Sequence, residues 1–329
     1  MKICMIGAGA MGSAYGGLLF AAGYDVTLLD SRSDHVAAIR ADGLRIDGKG
    51  GEHVVRPPIF DNHAGLGPFD AAIIFVDGNS TRVAAQTASE ILKPDGFAMT
   101  LQNGIGNVEV LTEKLGEARV IAGVSLDSAN YRGPGHASYT NQGEISIGEL
   151  DGRMTTRLDA MVAALNKAGC NAKKIEQPLD YIWSKFVHNC AVNPIAALTG
   201  MRTGDFIEIG EIDALQDRLL DELFAVGAAK GVNYPDPDLR QFIKAHCYKR
   251  YNQPSMLQHV LQGRRTEIDT LNGALVREAK KYGVPVPINE TLVALIKGLE
   301  KQRERELHQP PIDYQHLEAL AAAQAKDAR

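Results

Sequence analysis

Short apolar runs alternate with stretches of helical periodicity over the first half of the chain. Contiguous apolar residues predict strands at 3–6, 26–29, 72–76, 98–101 and 120–124. Between them, apolar residues recur every three to four positions at 11–22 and 81–92, which predicts helices. This alternation is typical of an α/β fold with a doubly wound parallel sheet.

The pattern changes twice farther along the chain. Residues 135–149 alternate apolar and polar positions around Asn141-Gln142-Gly143, which predicts a β-hairpin at the edge of the sheet. After about Ile175, helical periodicity covers 180–200, 208–230, 264–282 and 288–305, and a final helix is predicted over 317–325. We therefore expect an α/β domain over residues 1–176 and an all-helical domain over 177–329.

Composition narrows the class of protein. A chain of 329 residues is long enough for two cores, and a formal net charge of -5 argues against a nucleic-acid partner, which requires a concentrated basic face. The first apolar run ends at Gly7, too short for a signal peptide or a membrane span, so we expect a cytoplasmic protein with no membrane partner. The four cysteines are scattered, which predicts reduced, mostly buried thiols and no metal site.

A glycine-rich turn joins the first predicted strand to the first predicted helix, with the sequence Gly7-Ala8-Gly9-Ala10-Met11-Gly12. In this context Gly7 suits the tight turn, Gly9 lets a pyrophosphate approach the backbone, and Gly12 permits close packing of helix on strand. The helix N-terminus offers free N–H groups and a positive dipole to phosphates. These six residues predict a dinucleotide site in preference to a turn without a ligand.

Two charged residues follow the second predicted strand. Asp30 lies where a carboxylate accepts hydrogen bonds from the adenosine ribose hydroxyls and repels a 2′-phosphate, which favours NAD(H). Arg32 is within reach of such a phosphate, which keeps NADP(H) open as a cofactor. The structural alternatives are a turn cap for Asp30 and a solvated surface cation for Arg32.

Polar residues also follow the third and fourth predicted strands, whose carboxyl ends are expected to open toward the cofactor. Asp77 comes directly after the strand at 72–76, and we assign it to the cofactor end. Asn103, beyond the strand at 98–101, has an amide that both donates and accepts hydrogen bonds, which suits cofactor and substrate. Helix capping by Asp77 and an ordinary turn role for Asn103 are the alternatives.

Lys185, Asn189 and Asn193 recur every four positions along one face of a predicted, otherwise apolar helix. Buried polar groups without partners are costly, so these side chains are expected to converge on something polar or to line a solvated groove. Ketone reduction needs such groups: a cationic acid to protonate the oxygen as hydride reaches the carbon, and neutral donors to fix the substrate.

Two further candidates lie between residues 252 and 269. By itself, Glu267 is explained equally well as a surface carboxylate, and Ser255 is better explained as a loop or cap serine. Glu267 and Asp269 are two positions apart on a predicted helix, so they face different directions. Only one of the two carboxylates can easily serve a site on a given face.

Taken together, these segments resemble the ketopantoate reductase (2-dehydropantoate 2-reductase) family in order and approximate spacing over nearly the whole chain. The resemblance rests on the glycine-rich turn, Gln102-Asn103-Gly104, Trp183-x-Lys185-x3-Asn189-x3-Asn193-Pro194, Ser255-Met256, and Thr266-Glu267-Ile268-Asp269 with Asn272-Gly273. It implies a Rossmann domain, a helical domain like that of 6-phosphogluconate dehydrogenase, and an active site in the cleft between them.

The resemblance also implies residue roles and a reaction. Lys185 matches the catalytic lysine that protonates the ketone oxygen, and Glu267 matches the carboxylate that positions the lysine and a substrate hydroxyl. Contacts to substrate or to the nicotinamide end are implied for Asn103, Asn189, Asn193 and Ser255. The implied reaction is hydride transfer from NAD(P)H to the ketone of ketopantoate, giving pantoate in pantothenate biosynthesis. The sequence also allows a homodimer.

Three departures from the family pattern bear on cofactor and substrate. Asp30-Ser31 stands where an arginine is common, and Asp77 stands where a lysine is frequent. Both changes remove positive charge near the 2′-phosphate position and favour NAD(H). His259 replaces the family's aspartate four residues after Ser255, which weakens the assignment of ketopantoate as substrate.

Three alternatives therefore stand beside ketopantoate reduction. The nearest is a related 2-oxo acid reductase or 2-hydroxy acid dehydrogenase with a different substrate. The 6-phosphogluconate and glycerol-3-phosphate dehydrogenases share the architecture but need a phosphate clamp, for which only Arg264 and Arg265 are candidates. A non-catalytic NAD(P)-binding sensor is more distant, because both Lys185 and Glu267 are retained.

Overall fold

The computed structural model describes residues 1–248 and 250–327, which form twelve strands and twelve α-helices. The strands are β1 Lys2–Ile6, β2 Asp25–Leu29, β3 Leu44–Gly48, β4 His53–Val55, β5 Ile59–Phe60, β6 Phe69–Ile74, β7 Leu92–Thr100, β8 Val120–Ser125, β9 Ser128–Gly133, β10 His136–Asn141, β11 Ile145–Glu149 and β12 Ala172–Lys174. The helices are α1 Ala10–Ala21, α2 Ser33–Asp42, α3 Thr81–Ile91, α4 Asn107–Leu115, α5 Thr156–Lys167, α6 Pro178–Thr199, α7 Gly210–Lys230, α8 Leu239–Cys247, α9 Ser255–Leu261, α10 Asn272–Tyr282, α11 Pro287–His308 and α12 Tyr314–Asp327.

The main sheet has the strand order β12-β11-β8-β7-β6-β1-β2-β5 and contains all five strands predicted from apolar runs. Those five are mutually parallel, and only the β8–β11 pair is antiparallel. Along β1, Ile3 and Met5 belong to one apolar cluster and Cys4 and Ile6 to another. Both faces of the sheet are therefore covered, which explains the continuous apolar runs and confirms the doubly wound fold.

The hairpin predicted over residues 135–149 was wrong. β10 belongs to a second sheet of order β4-β3-β10-β9, where it pairs with β9 and β3, whereas β11 pairs with β8 in the main sheet. The connection between them crosses from one sheet to the other, and the N–H of Gly143 donates to Oδ1 of Asp127, 2.6 Å away. Alternation identified both strands, but a strand's partner depends on which faces the tertiary packing buries.

The helical half follows the sheet, since β12 ends at Lys174 and α6 begins at Pro178. Pro178 occupies the first turn of α6, where its missing N–H is not needed, and Gly200 ends the helix with a φ of 73°. Buried side chains of α6, α7, α10 and α11 form one apolar core, including Phe186, Leu219, Leu275 and Ile296. The predicted all-helical second half is confirmed.

The helix predicted over 264–282 begins only at Asn272. The segment before it forms turns, because side chains take the backbone donors: Thr266 N–H donates to Glu300 (2.5 Å), and Ile268 N–H donates to the Thr266 hydroxyl (3.2 Å). The short helices α8 and α9 were not predicted.

Membrane spans and metal clusters were sought across the described ranges. Within these ranges, no helix is both long enough and apolar enough to cross a membrane. Within the same ranges, His, Cys, Asp and Glu side chains form no group of three or more that is arranged for a metal ion. All four cysteines are buried thiols without a disulfide.

Candidate active site

A cleft of about 370 Å³ lies between the carboxyl ends of the central strands and the helical half. Its sheet side consists of residues 9–11 in the glycine-rich turn, 75–77 after β6 and 101–103 after β7. It also includes 125 at the end of β8, 127 in the bend that follows, and 129–132 on β9. Its helical side consists of Lys185, Ser255, Gln258, His259, Gln262, Arg264 and Glu267. Lys185, Glu267, Asn103 and Ser255, all predicted from sequence, therefore share one cleft.

The glycine-rich turn has the geometry that each of its glycines requires. Gly7 has a φ of +91°, and a Cβ there would lie 2.6 Å from the carbonyl oxygen of Phe75. A Cβ on Gly12 would lie 1.9 Å from the carbonyl oxygen of Gly7, whereas one on Gly9 would meet nothing within 4 Å. Gly9 precedes the first turn of α1 and lines the cleft, so the free N–H groups of that turn fit a dinucleotide phosphate.

Asp30 and Arg32 form a hydrogen-bonded ion pair at the end of β2. The Arg32 side chain donates to both carboxylate oxygens, at 2.9 and 3.0 Å, and Ala8 N–H donates to Oδ2 at 2.8 Å. Burial alone would raise the pKa of Asp30, but the hydrogen bonds and charge of Arg32 outweigh it and lower that pKa. The Arg32 guanidinium also lies over the ring of Tyr131, 4.7 Å from its centroid. Arg32 is therefore more than a solvated surface cation.

The ends of β6 and β7 carry the next pair of predicted residues. Asp77 is exposed and lines the cleft, and neither Asp77 nor Ser80 makes a side-chain capping hydrogen bond to the helical turns that follow them. Gln102 links the two strand ends, because its amide donates to the carbonyl oxygen of Val76 (2.6 Å) and to the hydroxyl of Thr81 (3.0 Å). The adjacent Asn103 is thereby fixed at the strand tip.

Lys185 reaches the cleft from α6 and donates from Nζ to the carbonyl oxygen of Ser125, 2.6 Å away. Burial lowers the pKa of Lys185 to about 8, against the opposing effect of the carboxylates of Glu267 and Asp127. Burial raises the pKa of Glu267. A 3.1 Å hydrogen bond from the Asn103 amide and the charge of Lys185 oppose this increase. An ammonium that is a stronger acid than that of an ordinary lysine thus lies near a buried carboxylate in the cleft.

Asn189 and Asn193 do not lie with Lys185 on the cleft wall. Asn193 is buried, and its side-chain oxygen accepts hydrogen bonds from Met256 N–H (3.2 Å) and the Ser255 hydroxyl (3.3 Å). Eight residues along an α-helix correspond to about 12 Å and to a rotation of roughly 80° from the starting direction, so side chains at this spacing separate. Asn193 fixes the start of α9 and with it Ser255, which does line the cleft.

Sequence reasoning overlooked several cleft residues. Asp127 follows β8, and the rule that ligands bind beyond the carboxyl ends of parallel strands would have found it. Tyr131 and Arg132 lie on β9, a strand for which no pattern was recognised. The recurrence of Ser255, Gln258, His259 and Gln262 at helical spacing marks the cleft-facing side of α9.

His259 occupies the position at which the resemblance leads one to expect an aspartate. Its side chain lines the cleft, and its Nδ1 atom is buried without a hydrogen-bond partner among the described residues. Burial, together with the positive charge of Arg264, lowers the pKa of the imidazole. The cleft therefore presents a neutral ring at neutral pH.

Comparison with known families agrees with the geometry. The family model "Ketopantoate reductase PanE/ApbA" matches residues 3–152, and the model of that family's C-terminal part matches residues 179–300. This chain belongs to the ketopantoate reductase family. The 2-dehydropantoate 2-reductase of Archaeoglobus fulgidus is 32% identical to it over 302 residues, covering 91% of this chain and 98% of that protein.

Solved structures in this family and around it are similar over the same length. A PanE/ApbA family ketopantoate reductase from Ralstonia eutropha JMP134 has a TM-score of 0.84 and 31% identity, covering 92% of this chain and 100% of that one. A ternary structure of D-mandelate dehydrogenase with NADH and anilino(oxo)acetate has the same TM-score and coverage at 26% identity. The scaffold thus occurs in enzymes named for different 2-oxo or 2-hydroxy acids.

Proposed function

We propose that this protein is an NAD(P)-dependent 2-oxo acid reductase that reduces ketopantoate to pantoate. The proposal rests on the position of Lys185, which lines the same cleft as Glu267 and the glycine-rich turn. Burial lowers the pKa of this lysine to about 8. The proposal assigns the dinucleotide to a domain of residues 1–176, and the substrate to the cleft between that domain and residues 177–329.

In this assignment the chain supplies the acid and the binding groups. A bound reduced nicotinamide supplies the hydride to the ketone carbon. Lys185 donates a proton from Nζ to the ketone oxygen, where negative charge develops, and a pKa near 8 leaves it largely protonated at neutral pH while making it a stronger acid than an ordinary lysine. The negative charge of Glu267 stabilises the Lys185 ammonium, and its carboxylate accepts a hydrogen bond from a substrate hydroxyl.

The remaining polar groups bind and orient the substrate. Asn103 donates to Glu267 and is shared between substrate and cofactor, and the Ser255 hydroxyl oxygen accepts a hydrogen bond from the substrate on the opposite wall. Asn193 supports Ser255 through their 3.3 Å hydrogen bond. Asn189, which is half-buried on the same helix, is assigned to the substrate on the family resemblance.

We assign NADH as the preferred cofactor. A 2′-phosphate beside Asp30 would meet a carboxylate whose pKa is lowered, and Arg32 would have to leave its ion pair to bind that phosphate. Asp77 adds a second negative charge to the cleft. The D-mandelate dehydrogenase of similar fold was itself solved with NADH.

The deciding experiment is steady-state reduction of ketopantoate with NADH and NADPH side by side, in the wild type and in Asp30→Ser. Efficient turnover with NADH supports both assignments, and the variant is expected to move the preference toward NADPH because it frees Arg32. Asp42→Ser, an exposed carboxylate at the end of α2, is the matched control. A wild type that prefers NADPH would refute the cofactor assignment.

A second candidate function is reduction of a 2-oxo acid with an aromatic or other bulky apolar group. It is favoured by His259, whose neutral ring replaces a carboxylate on the cleft wall, and by the likeness to D-mandelate dehydrogenase. A panel of branched, linear and phenyl-substituted 2-oxo acids separates the two candidates. If the enzyme does not reduce ketopantoate but turns over a phenyl-substituted 2-oxo acid, the substrate assignment changes and the role proposed for Lys185 is retained.

A further inference from the structure

We propose that Asp127 is a positioning residue for proton transfer that acts through Lys185. It fixes the backbone carbonyl to which Lys185 donates, and it places a second negative charge near the ammonium. This inference rests on the proposed function, in which Lys185 is the acid. Three features of the bend between β8 and β9 carry it.

The first feature is a direct link through Ser125, the last residue of β8. Lys185 Nζ donates to the carbonyl oxygen of Ser125 at 2.6 Å, and Asp127 N–H donates to the hydroxyl of the same serine at 3.0 Å. Ser125 and Asp127 both line the cleft with Lys185. The bend that Asp127 stabilises is therefore the bend that holds the proton donor.

The second feature is the anchoring of the Asp127 carboxylate by neutral donors on two other elements. The hydroxyl of Tyr15 on α1 donates to Oδ2 at 2.5 Å and lies 2.7 Å from the Ser125 hydroxyl. The N–H of Gly143 donates to Oδ1 at 2.6 Å. Because α1 begins at the glycine-rich turn, this network joins the proposed cofactor end of the cleft to the proton donor.

The third feature is the charge around Asp127. Over the described ranges, Asp127 forms no ion pair within 4 Å, so no contacting cation neutralises it. The titratable groups that face it across the packed elements are Tyr15, Tyr139 and Cys170, and burial raises the pKa of all three. They are neutral at neutral pH, and the Asp127 carboxylate favours the ammonium form of Lys185.

Lys185 itself is faced by only a few titratable groups. Glu267 approaches from the turn before α10, and Asp127 approaches from the bend after β8; both favour the ammonium. On α6 itself, His188 is neutral because burial, followed by the charge of neighbours that include Lys185, lowers its pKa to about 3. Once Lys185 has given up its proton, these two carboxylates favour its reprotonation for the next turnover.

The test measures the protonation of Lys185 in Asp127→Asn, which preserves side-chain shape and one acceptor oxygen but removes the charge. Two readouts are taken: the alkaline limb of the pH profile of ketopantoate reduction, and the pH dependence of acylation of Lys185 followed by mass spectrometry. We expect both to move to lower pH by about one unit, the scale of one nearby charge in a protein. If the Asn variant does not fold, Asp127→Ser supplies the same two readouts.

Two variants separate charge from structure. Asp127→Glu retains the charge and is expected to keep the limb near its wild-type position. Tyr15→Phe removes the hydrogen bond from α1 to the Asp127 carboxylate and leaves both the charge and the Gly143 hydrogen bond, so it is expected to change the rate without moving the limb. An unmoved limb and an unmoved acylation profile in Asp127→Asn would overturn the proposal.

Failure of the proposed function has a different signature. It would appear as a wild type that reduces no 2-oxo acid, or as a Lys185→Ala variant that retains its rate. The acylation profile needs no turnover, so it tests the effect of Asp127 on Lys185 in either case.

Discussion

The side-chain amide of Asn103 donates a hydrogen bond of 3.1 Å to Oε2 of Glu267, between residues 164 positions apart in the chain. Asn103 follows β7 of the main sheet, and Glu267 lies in the turns before α10 of the helical half. The bond therefore joins the two walls of the cleft. It also satisfies the hydrogen-bonding capacity of the Glu267 carboxylate. Burial raises the pKa of this group, and the hydrogen bond from Asn103 and the charge of Lys185 oppose that increase.

Glu267→Gln is expected to reduce ketone-reducing activity while preserving this contact between the walls. Glutamine presents an oxygen that accepts the Asn103 hydrogen bond, but it removes one of the two carboxylates that stabilise the Lys185 ammonium. We expect kcat/KM to fall roughly 10–100-fold, about 1.4–2.8 kcal/mol, and the alkaline limb to move to lower pH. Steady-state kinetics across pH give both quantities.

The control for this variant is Glu290→Gln, an exposed carboxylate on α11. It is expected to match the wild type in rate and in pH profile. A Glu267→Gln enzyme with the wild-type alkaline limb would show that this carboxylate does not influence the proton donor.

Lys185→Ala is expected to abolish most ketone reduction and leave cofactor binding intact. Loss of a positioned general acid typically costs about 10²–10⁴ in rate, and the glycine-rich turn that we assign to the cofactor lies on the other wall of the cleft. The measurements are kcat with ketopantoate and a fluorescence titration with NADH. Lys280→Ala, an exposed lysine on α10, is the matched control. Unchanged turnover would remove Lys185 from the mechanism.

Reduction is expected to lose rate as pH rises through about 8. In the proposed reaction the donor is the ammonium form of Lys185, which predominates below its pKa. Above that pKa the neutral amine has no proton to give. The rate should therefore be level on the acid side of this limb and fall tenfold per pH unit beyond it. Lys185→Arg keeps the charge at high pH and should not show the limb. A profile that stays flat from pH 7 to 10 would contradict this role.

The parts of the fold that were predicted from sequence are those whose signal is local. The five central strands are buried on both faces, so each is a largely apolar run, and long helices such as α6 and α11 have sustained periodicity. The second sheet was not predicted, because β4 has three residues and β9 is mostly half-exposed. Partner choice for β10 and β11 depends on contacts far away in sequence.

Some features of the candidate site were likewise predictable from local sequence, and others depend on tertiary packing. The glycine-rich turn carries its full geometry within six residues, so its conformation was predictable from sequence. The contact between Lys185 and the Ser125 carbonyl depends on packing of α6 against the end of β8, which no local pattern encodes. The four-residue repeat also suggested that Asn193 lies on the same face as Lys185, whereas its side chain lies against the start of α9 and contacts Ser255 and Met256.

Substitutions of two glycines in the turn are expected to separate folding from cofactor binding. In Gly12→Ala the new Cβ would lie 1.9 Å from a backbone oxygen of Gly7, so α1 must shift, and we expect a loss of roughly 1–3 kcal/mol in the free energy of unfolding. In Gly9→Ala the new Cβ meets nothing within 4 Å and the φ of −66° suits alanine, so stability should be unchanged. That methyl group would nevertheless occupy the space where a pyrophosphate approaches the backbone, and NADH affinity should fall at least tenfold.

Thermal unfolding and NADH titration of both variants check these outcomes. Gly298→Ala is the control, because this glycine lies within α11, a Cβ there meets nothing within 4 Å, and alanine should raise stability by about 1 kcal/mol without touching the cleft. If Gly9→Ala bound NADH as tightly as the wild type, the phosphate would have to bind elsewhere, since a methyl group at this position cannot coexist with close approach of a pyrophosphate to the Gly9 backbone.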